Sequence, residues 1–266
     1  MTMFHYTEVS QTVIDNLIGL DEMLGCTENS SSSYKTLDDD LMPTEIVSKC
    51  QMGHTDMEHI DPDLKKSAID YMDTILEPII GYKPQTHGRY GYYRQPIHVH
   101  NDGQNMLGGL EVWSKHNLTG IRPKPANTTV FFPLRIFGSD GKEGSGSTAT
   151  IYFDQRTPTQ AQSGKRASTP LEEFYRKHGA YGWDKKHDYS DLDGWTGKSF
   201  DTEIHEKYLK QNPIEKLFGF SFAGEVPWNI GEVVMFETSR LHCSSYMEDC
   251  IRKDCFLVKV NTNLWD

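Results

Sequence analysis

The chain lacks the features that nucleic-acid-binding and membrane proteins need. Its 27 lysines and arginines are outnumbered by 38 aspartates and glutamates, which gives a formal net charge of −11. Duplex nucleic acid and anionic membranes bind basic surfaces that release counterions, so neither is expected as the main partner. No segment approaches the roughly eighteen apolar residues of a membrane-spanning helix, and the N-terminal MTMFHYTEVSQ has no basic region followed by an apolar run. These absences predict a cytoplasmic protein without a membrane partner.

Cysteine is also scarce. The 5 cysteines are irregularly spaced and form no CxxC pair. An odd number without close pairs is typical of a reducing compartment and argues against both a disulfide framework and a zinc knuckle. Hydrophobic residues make up 36% of the 266 residues, which is enough for the core of one domain with insertions.

Two regions differ in their residue pattern. Residues 1–88 are predicted to be a mainly helical region that packs on the core, because 8–24 and 62–80 place apolar residues at helical spacing. Residues 89–266 consist of short aromatic and β-branched runs broken by Gly, Pro and Asn. Several short strands with turn signals and few helices predict an antiparallel sandwich or jelly roll.

A long segment, 155–226, interrupts the predicted strands. A connection of this length inside a compact barrel usually forms a lid or an inserted subdomain. Its acidic run Asp188, Asp191 and Asp193 would suit a cationic substrate group, and a solvated charged face explains the run equally well. We expect a substrate-selecting lid because the segment combines glycines with large aromatic residues, namely Tyr181, Trp183, Tyr189 and Trp195.

The stretch PIHVHNDGQ, residues 96–104, carries the first chemical signal. His98, His100 and Asp102 alternate, so on a strand they would project from one face. A distal histidine, His242, follows the apolar run GEVVMF in the second half of the chain. Two imidazoles and one carboxylate form a facial triad that leaves open positions on Fe(II), whereas a closed zinc site needs four ligands and usually cysteine.

A basic pair opens the last predicted strand. Arg252 lies ten positions beyond His242 and is followed by Lys253. A cationic side chain at this distance would sit deeper in the same barrel, where it can pair with the far carboxylate of an iron chelator. The sequence therefore offers residues for both ends of a chelator site.

This order of HxD, distal His and basic residue, on short strands after a helical region, resembles the iron(II)- and 2-oxoglutarate-dependent oxygenases, in particular their prolyl-hydroxylase-like branch. The resemblance covers about residues 90–262. It implies a double-stranded β-helix, or jelly roll, in which His100, Asp102 and His242 are the catalytic iron ligands. It also implies that Arg252 binds the C5 carboxylate of 2-oxoglutarate, with O2 as the second cosubstrate and ascorbate as a supporting reductant.

The identity of the anchoring cation stays open. Asp254, two residues beyond Arg252, would repel a carboxylate, whereas Lys253 places Cys255 in that position. Lys253 is therefore the alternative anchor, and Lys259 is a more distant candidate.

Other metal-site chemistries are also open. His98 and His100 form the HxH pair that begins a cupin motif, but Gln104 and Asn105 stand where a cupin has a glutamate. We interpret His98 as a residue beside the metal or facing the substrate. A cupin-type enzyme that ignores 2-oxoglutarate and a non-catalytic jelly-roll binding module remain as alternatives.

The resemblance also bears on the reaction. Asp102 is present where halogenating relatives have a small residue, so hydroxylation of an unactivated C–H is expected. A small molecule, an amino acid or a protein side chain would fit such a site, and the net negative charge makes nucleic acid the least expected substrate.

Overall fold

The computed structural model describes residues 4–24, 46–51, 63, 70, 76–82, 89–93, 96, 99, 127–156, 190 and 192–265. Its helices are α1 (Gln11–Leu24), α2 (Glu77–Ile80) and α3 (Thr202–Tyr208), with a 3₁₀ turn at Ile214–Leu217. Its strands are β1 (His5–Glu8), β2 (Ile46–Gln51), β3 (Arg89–Tyr93), β4 (Thr128–Gly138), β5 (Ala149–Arg156), β6 (Phe222–Pro227), β7 (Glu232–Glu237), β8 (Arg240–Ser244) and β9 (Cys250–Val260).

The strands form two antiparallel sheets. The larger sheet has the order β1-β7-β4-β9-β3-β2, and the smaller has the order β6-β5-β8. The chain passes repeatedly between them, because β4, β7 and β9 belong to the larger sheet whereas β5, β6 and β8 belong to the smaller. This winding between two sheets is that of a double-stranded β-helix, so the predicted jelly roll is confirmed.

The space between the sheets is a packed interior. Side chains alternate along each strand, so one set of residues from each sheet points inward. The larger sheet contributes Phe131, Val234 and Leu257, and the smaller contributes Tyr152 and Val226. We call this space the barrel interior.

Helix α1 covers the outer face of the larger sheet. Its buried residues Ile14 and Leu17 pack in one cluster with Phe132 and Phe256 of the sheet. Apolar residues three positions apart lie on one side of a helix, which is why this segment forms an amphipathic helix against the sheet. The helix predicted over 8–24 is therefore confirmed, and it begins at Gln11.

The N-terminal region also supplies strands that the sequence pattern does not predict. β1 pairs with β7, and β2 pairs with β3, so both strands lie at the edges of the larger sheet. Pairing with an existing sheet edge determines the extended conformation of β1 and β2, because segments this short carry only a weak strand signal of their own. Of the helix predicted over 62–80, the structure describes the last turn as α2.

The long connection between β5 and β6 has a described second half, residues 192–221. Its apolar residues pack against the outer face of the smaller sheet, including Ile151 and Phe153. Trp195 lies over Gly219 and contacts Phe220 edge-on, with ring centroids 5.9 Å apart. This half is therefore an outer layer of the smaller sheet. The lid predicted over residues 155–226 stays a prediction, because residues 157–189 of this segment lie outside the described residues.

Among the described helices, none is long and apolar enough to cross a membrane.

Candidate functional site in the barrel interior

His242 projects into the barrel interior from β8. The side chain is 6% exposed. Its ring stacks on Tyr152 with centroids 5.5 Å apart and meets Phe236 edge-on at 5.0 Å. Both aromatic residues belong to the interior cluster, so the predicted distal histidine lies between the two sheets.

The hydrogen bonding of His242 suits a metal ligand. Its Nδ1 lies 3.0 Å from the backbone oxygen of Arg240. A proton on Nδ1 completes this hydrogen bond and leaves Nε2 as the nitrogen that carries the lone pair. Metal-binding histidines commonly have such a carbonyl partner, which fixes the tautomer. The chemistry of His242 therefore fits an iron site.

The other two predicted iron ligands, His100 and Asp102, lie outside the described residues, as does their neighbour His98. In the part of the chain that the structure describes, no group of three or more His, Cys, Asp or Glu side chains could hold a metal ion. The iron triad therefore stays a prediction, with one member located in the barrel interior.

The two candidate anchors project from opposite faces of β9. Lys253 pairs in register with Tyr93 and Ile136, which both belong to the interior cluster. Arg252 instead lies over the rings of Phe137, at 5.0 Å, and of Tyr92, at 5.6 Å. Since Tyr92 belongs to the cluster beneath α1, Lys253 faces the barrel interior and Arg252 faces outward.

Lys253 is a buried cation with few polar partners. Its side chain is 0% exposed, and its Nζ lies 3.3 Å from Thr148 Oγ1 and 4.2 Å from the ring centre of Trp228. No described carboxylate lies within 4.0 Å of this ammonium group. Burial lowers the pKa of Lys253 to about 8.

Arg252 is occupied by another interaction. Its Nε and Nη2 donate to the two carboxylate oxygens of Asp254, each at 2.7 Å. Arg252 therefore faces away from His242 and is already paired with Asp254, whereas Lys253 faces the interior that contains His242. Which of the two binds 2-oxoglutarate stays a prediction. Lys259, the third candidate, donates to Thr129 Oγ1 at 2.7 Å and lies six residues beyond Lys253, about 20 Å along β9.

A cluster of charged and polar side chains that the sequence pattern does not indicate holds α1 against the larger sheet. Arg135 binds Asp254 through Nε at 2.9 Å and Asp21 of α1 through Nη2 at 3.1 Å. Tyr92 donates a short hydrogen bond to Asp21. Burial is the largest cause that raises the pKa of Asp21 to about 6. We call Asp21, Tyr92, Arg135, Arg252 and Asp254 the outer network.

The interior polar groups follow β5 from one end to the other. Thr148, next to Lys253, precedes the strand. Tyr152 pairs in register with His242, and Arg156 pairs with Arg240. Tyr152 lies four residues beyond Thr148, which is about 13 Å at the rise of a strand. Arg156 lies four residues further, across an irregularity in the pairing of β5 with β8. Lys253 therefore lies on one side of His242, and Arg156 and Arg240 lie on the other.

Arg240 was not predicted as a site residue. It is 5% exposed, and its Nη1 donates to the backbone oxygen of Phe153 at 3.0 Å. Its Nε is buried without a hydrogen-bond partner among the described residues. Burial and the neighbouring Arg156 lower the pKa of Arg240. The signal in the sequence was its place two residues before His242, which puts both side chains on one face of a strand.

Comparison with known proteins gives similarity in structure alone. No family model matches the sequence, and no curated protein is significantly similar to it. A 2OG-Fe(II) oxygenase family oxidoreductase from Burkholderia pseudomallei has a TM-score of 0.44 at 6% identity, over 97% of this chain and 84% of that one. The non-heme alpha-ketoglutarate-dependent carbocyclase SnoK of nogalamycin biosynthesis has a TM-score of 0.43 at 11% identity, over 97% and 79%.

A prolyl-4-hydroxylase from Pseudomonas putida has a TM-score of 0.37 at 7% identity, over 98% of this chain and 93% of that one. Scores below 0.5 are too low to assign an activity to this chain. The strand order of the two sheets defines the fold of this chain.

Proposed function

We propose that this chain is an Fe(II)- and 2-oxoglutarate-dependent oxygenase that hydroxylates an unactivated C–H of a small molecule, an amino acid or a protein side chain. The observation that carries the proposal is Lys253, a fully buried lysine that faces the barrel interior without a carboxylate partner among the described residues. Burying an unpaired cation costs several kcal/mol. A binding site for an anionic ligand gives this cost a physical reason.

The positions of Lys253 and His242 suit a chelating cosubstrate. Lys253 lies beside Thr148, just before β5, and His242 lies beside Tyr152 of β5, so both side chains border one stretch of the barrel interior. 2-Oxoglutarate has a keto group and a C1 carboxylate that chelate a metal at one end, and a C5 carboxylate at the other. Lys253 would bind the C5 carboxylate as a charge-assisted donor, and the Thr148 hydroxyl would add a second donor.

His242 would hold the iron together with His100 and Asp102. Bound iron would supply the redox chemistry that activates dioxygen, while 2-oxoglutarate is converted to succinate and CO2. The chain itself would orient the cosubstrate and exclude water. Trp228 forms an apolar wall beside Lys253, and Phe236 does the same beside His242.

Anaerobic spectroscopy tests the proposal. The protein with Fe(II) and 2-oxoglutarate should develop the weak visible charge-transfer band of the chelate, and His242→Ala should remove it. Lys253→Met should weaken 2-oxoglutarate binding by roughly 30- to 150-fold, which corresponds to about 2 to 3 kcal/mol for a lost charge-assisted pair.

Arg252→Met is the matched control, because it removes a cation from the neighbouring position on the other face of β9. The affinity of this variant for 2-oxoglutarate should stay within about threefold of the wild-type value. A cation outside the pocket attracts the ligand only weakly, because solvent screens its charge. A charge-transfer band that survives in His242→Ala would reject the iron site. Metal binding without any response to 2-oxoglutarate would favour the cupin-type alternative.

A further inference from the structure

Arg240 is a buried cation that the proposed cosubstrate site does not use. A guanidinium group has five N–H donors, and burying them without acceptors is unfavourable. The structure gives this side chain one acceptor, the backbone oxygen of Phe153, and leaves its buried Nε without a partner in the described part of the chain. The group therefore has hydrogen-bonding capacity left for a ligand.

The position of Arg240 separates it from the cosubstrate anchor. Arg240 and His242 are two residues apart on β8, so their side chains share the inward face about 7 Å apart along the strand. Arg156 marks this end of the barrel interior, whereas Thr148 and Lys253 mark the other. A ligand group at Arg240 would therefore approach the predicted iron from the side opposite to 2-oxoglutarate.

The charged neighbours of Arg240 leave it without an ion pair among the described residues. Arg156 lies opposite it and binds Glu237 at 3.1 Å. Glu237 also accepts a hydrogen bond from Ser239 at 2.6 Å. Asp154 accepts from the Ser221 hydroxyl at 2.9 Å. Arg156 lies directly opposite Arg240 and repels it, whereas Glu237 and Asp154 attract Arg240 without forming an ion pair with it. The guanidinium group of Arg240 therefore still lacks a carboxylate in direct contact among the described residues.

We propose that Arg240 binds the carboxylate of the primary substrate, which is a small carboxylic acid. This inference rests on the proposed function, since it assigns the substrate side of the same site. A guanidinium edge presents two parallel N–H donors that match the two oxygens of a carboxylate. Because Arg240 and His242 are close neighbours on one strand face, the carbon that is oxidised lies within a few bonds of this carboxylate.

The test uses equilibrium binding of propionate, without iron or 2-oxoglutarate. The Lys253→Met protein is the background, so that the cosubstrate anchor cannot bind the probe. Titrations followed by NMR line shapes compare propionate with propionamide and inorganic phosphate at equal ionic strength. Propionate should bind, and propionamide should bind far more weakly because it lacks the negative charge.

Adding Arg240→Met should weaken propionate binding by roughly 30- to 150-fold. Arg240→Lys should retain part of the affinity, because it keeps the charge but loses the two-pronged geometry. Arg252→Met in the same background is the control and should leave propionate binding within about threefold.

Equal binding of propionate to the proteins with and without Arg240, or no binding to either, would overturn the inference. Phosphate binding as tightly as propionate would refute the carboxylate class. These outcomes are independent of the proposed function, which fails instead if the protein shows no charge-transfer band with Fe(II) and 2-oxoglutarate.

Discussion

Replacing Lys253 with methionine should stabilise the protein while it weakens 2-oxoglutarate binding. Methionine keeps the apolar stem and fills a similar volume against Trp228, but it removes the buried charge. A residue kept for stability would show the opposite effect on unfolding. The two measurements together therefore distinguish a ligand-binding lysine from a structural one.

The magnitude follows from the pKa of Lys253, which burial lowers from 10.5 to about 8. Between these values the unfolded chain binds more protons than the folded one, so the free energy of unfolding rises with pH from about 8 to 10.5. Below pH 8 the full penalty is present. At 1.36 kcal/mol for each pKa unit, Lys253 costs the folded state about 3 kcal/mol at pH 7. Its removal should raise Tm by roughly 5 to 10 °C in a chain of this size.

Denaturant unfolding of wild type and Lys253→Met across pH 7 to 10.5 checks this reasoning. The stability difference should be largest at pH 7 and should shrink as the wild-type lysine loses its proton. Arg252→Met is the control, and it should be destabilising because it removes a partner of the buried Asp254. A Lys253→Met protein that is less stable than wild type at pH 7 would refute the argument that this cation is uncompensated.

The remaining predictions concern pH dependence and packing. Affinity for 2-oxoglutarate, measured by calorimetry, should be constant below pH 8 and fall up to about tenfold per pH unit above it, as the lysine loses its charge. The pKa of Asp21 is raised to about 6, so its ionisation should lower the free energy of unfolding as pH rises from about 4 to 6. In urea unfolding, Asp21→Asn should reduce this dependence of the free energy of unfolding on pH. Gly219→Ala should destabilise by more than about 2 kcal/mol because Trp195 fills the Cβ position, whereas Gly141→Ala, with a similar positive φ and open space, should cost about 1 kcal/mol.

The sequence predicts the jelly roll but does not decide between adjacent basic residues on β9. Both faces of this strand are buried, with Phe256 beneath α1 and Leu257 in the barrel interior. Hydrophobic alternation is therefore absent, and a shift of one residue exchanges the two faces without changing the apolar pattern. Register with Tyr93 and Ile136 decides that Lys253 faces inward.

Two other features depend on contacts between distant segments. The sequence of β1, HYTE, carries no strong strand signal, and its pairing with β7 at the sheet edge determines its conformation. Of the four aromatic residues on which the lid prediction rests, Trp195 is described, and it packs on the outer face of the smaller sheet with Phe220. In contrast, Arg240 could have been predicted, because the alternation that groups His100 with Asp102 also groups it with His242.

The pairing of cations differs between the two sides of the larger sheet. On the outer face, Arg135 and Arg252 both bind Asp254, so the buried charges there compensate one another. In the barrel interior, Lys253 and Arg240 form no ion pair with a described carboxylate, although both are at least as deeply buried. Folding alone would favour the same compensation on both faces, since an unpaired buried cation is destabilising. Among the described residues, the cations without a carboxylate in direct contact therefore lie on the two sides of His242, and this placement is what motivates the two proposed anion sites, one at Lys253 and one at Arg240.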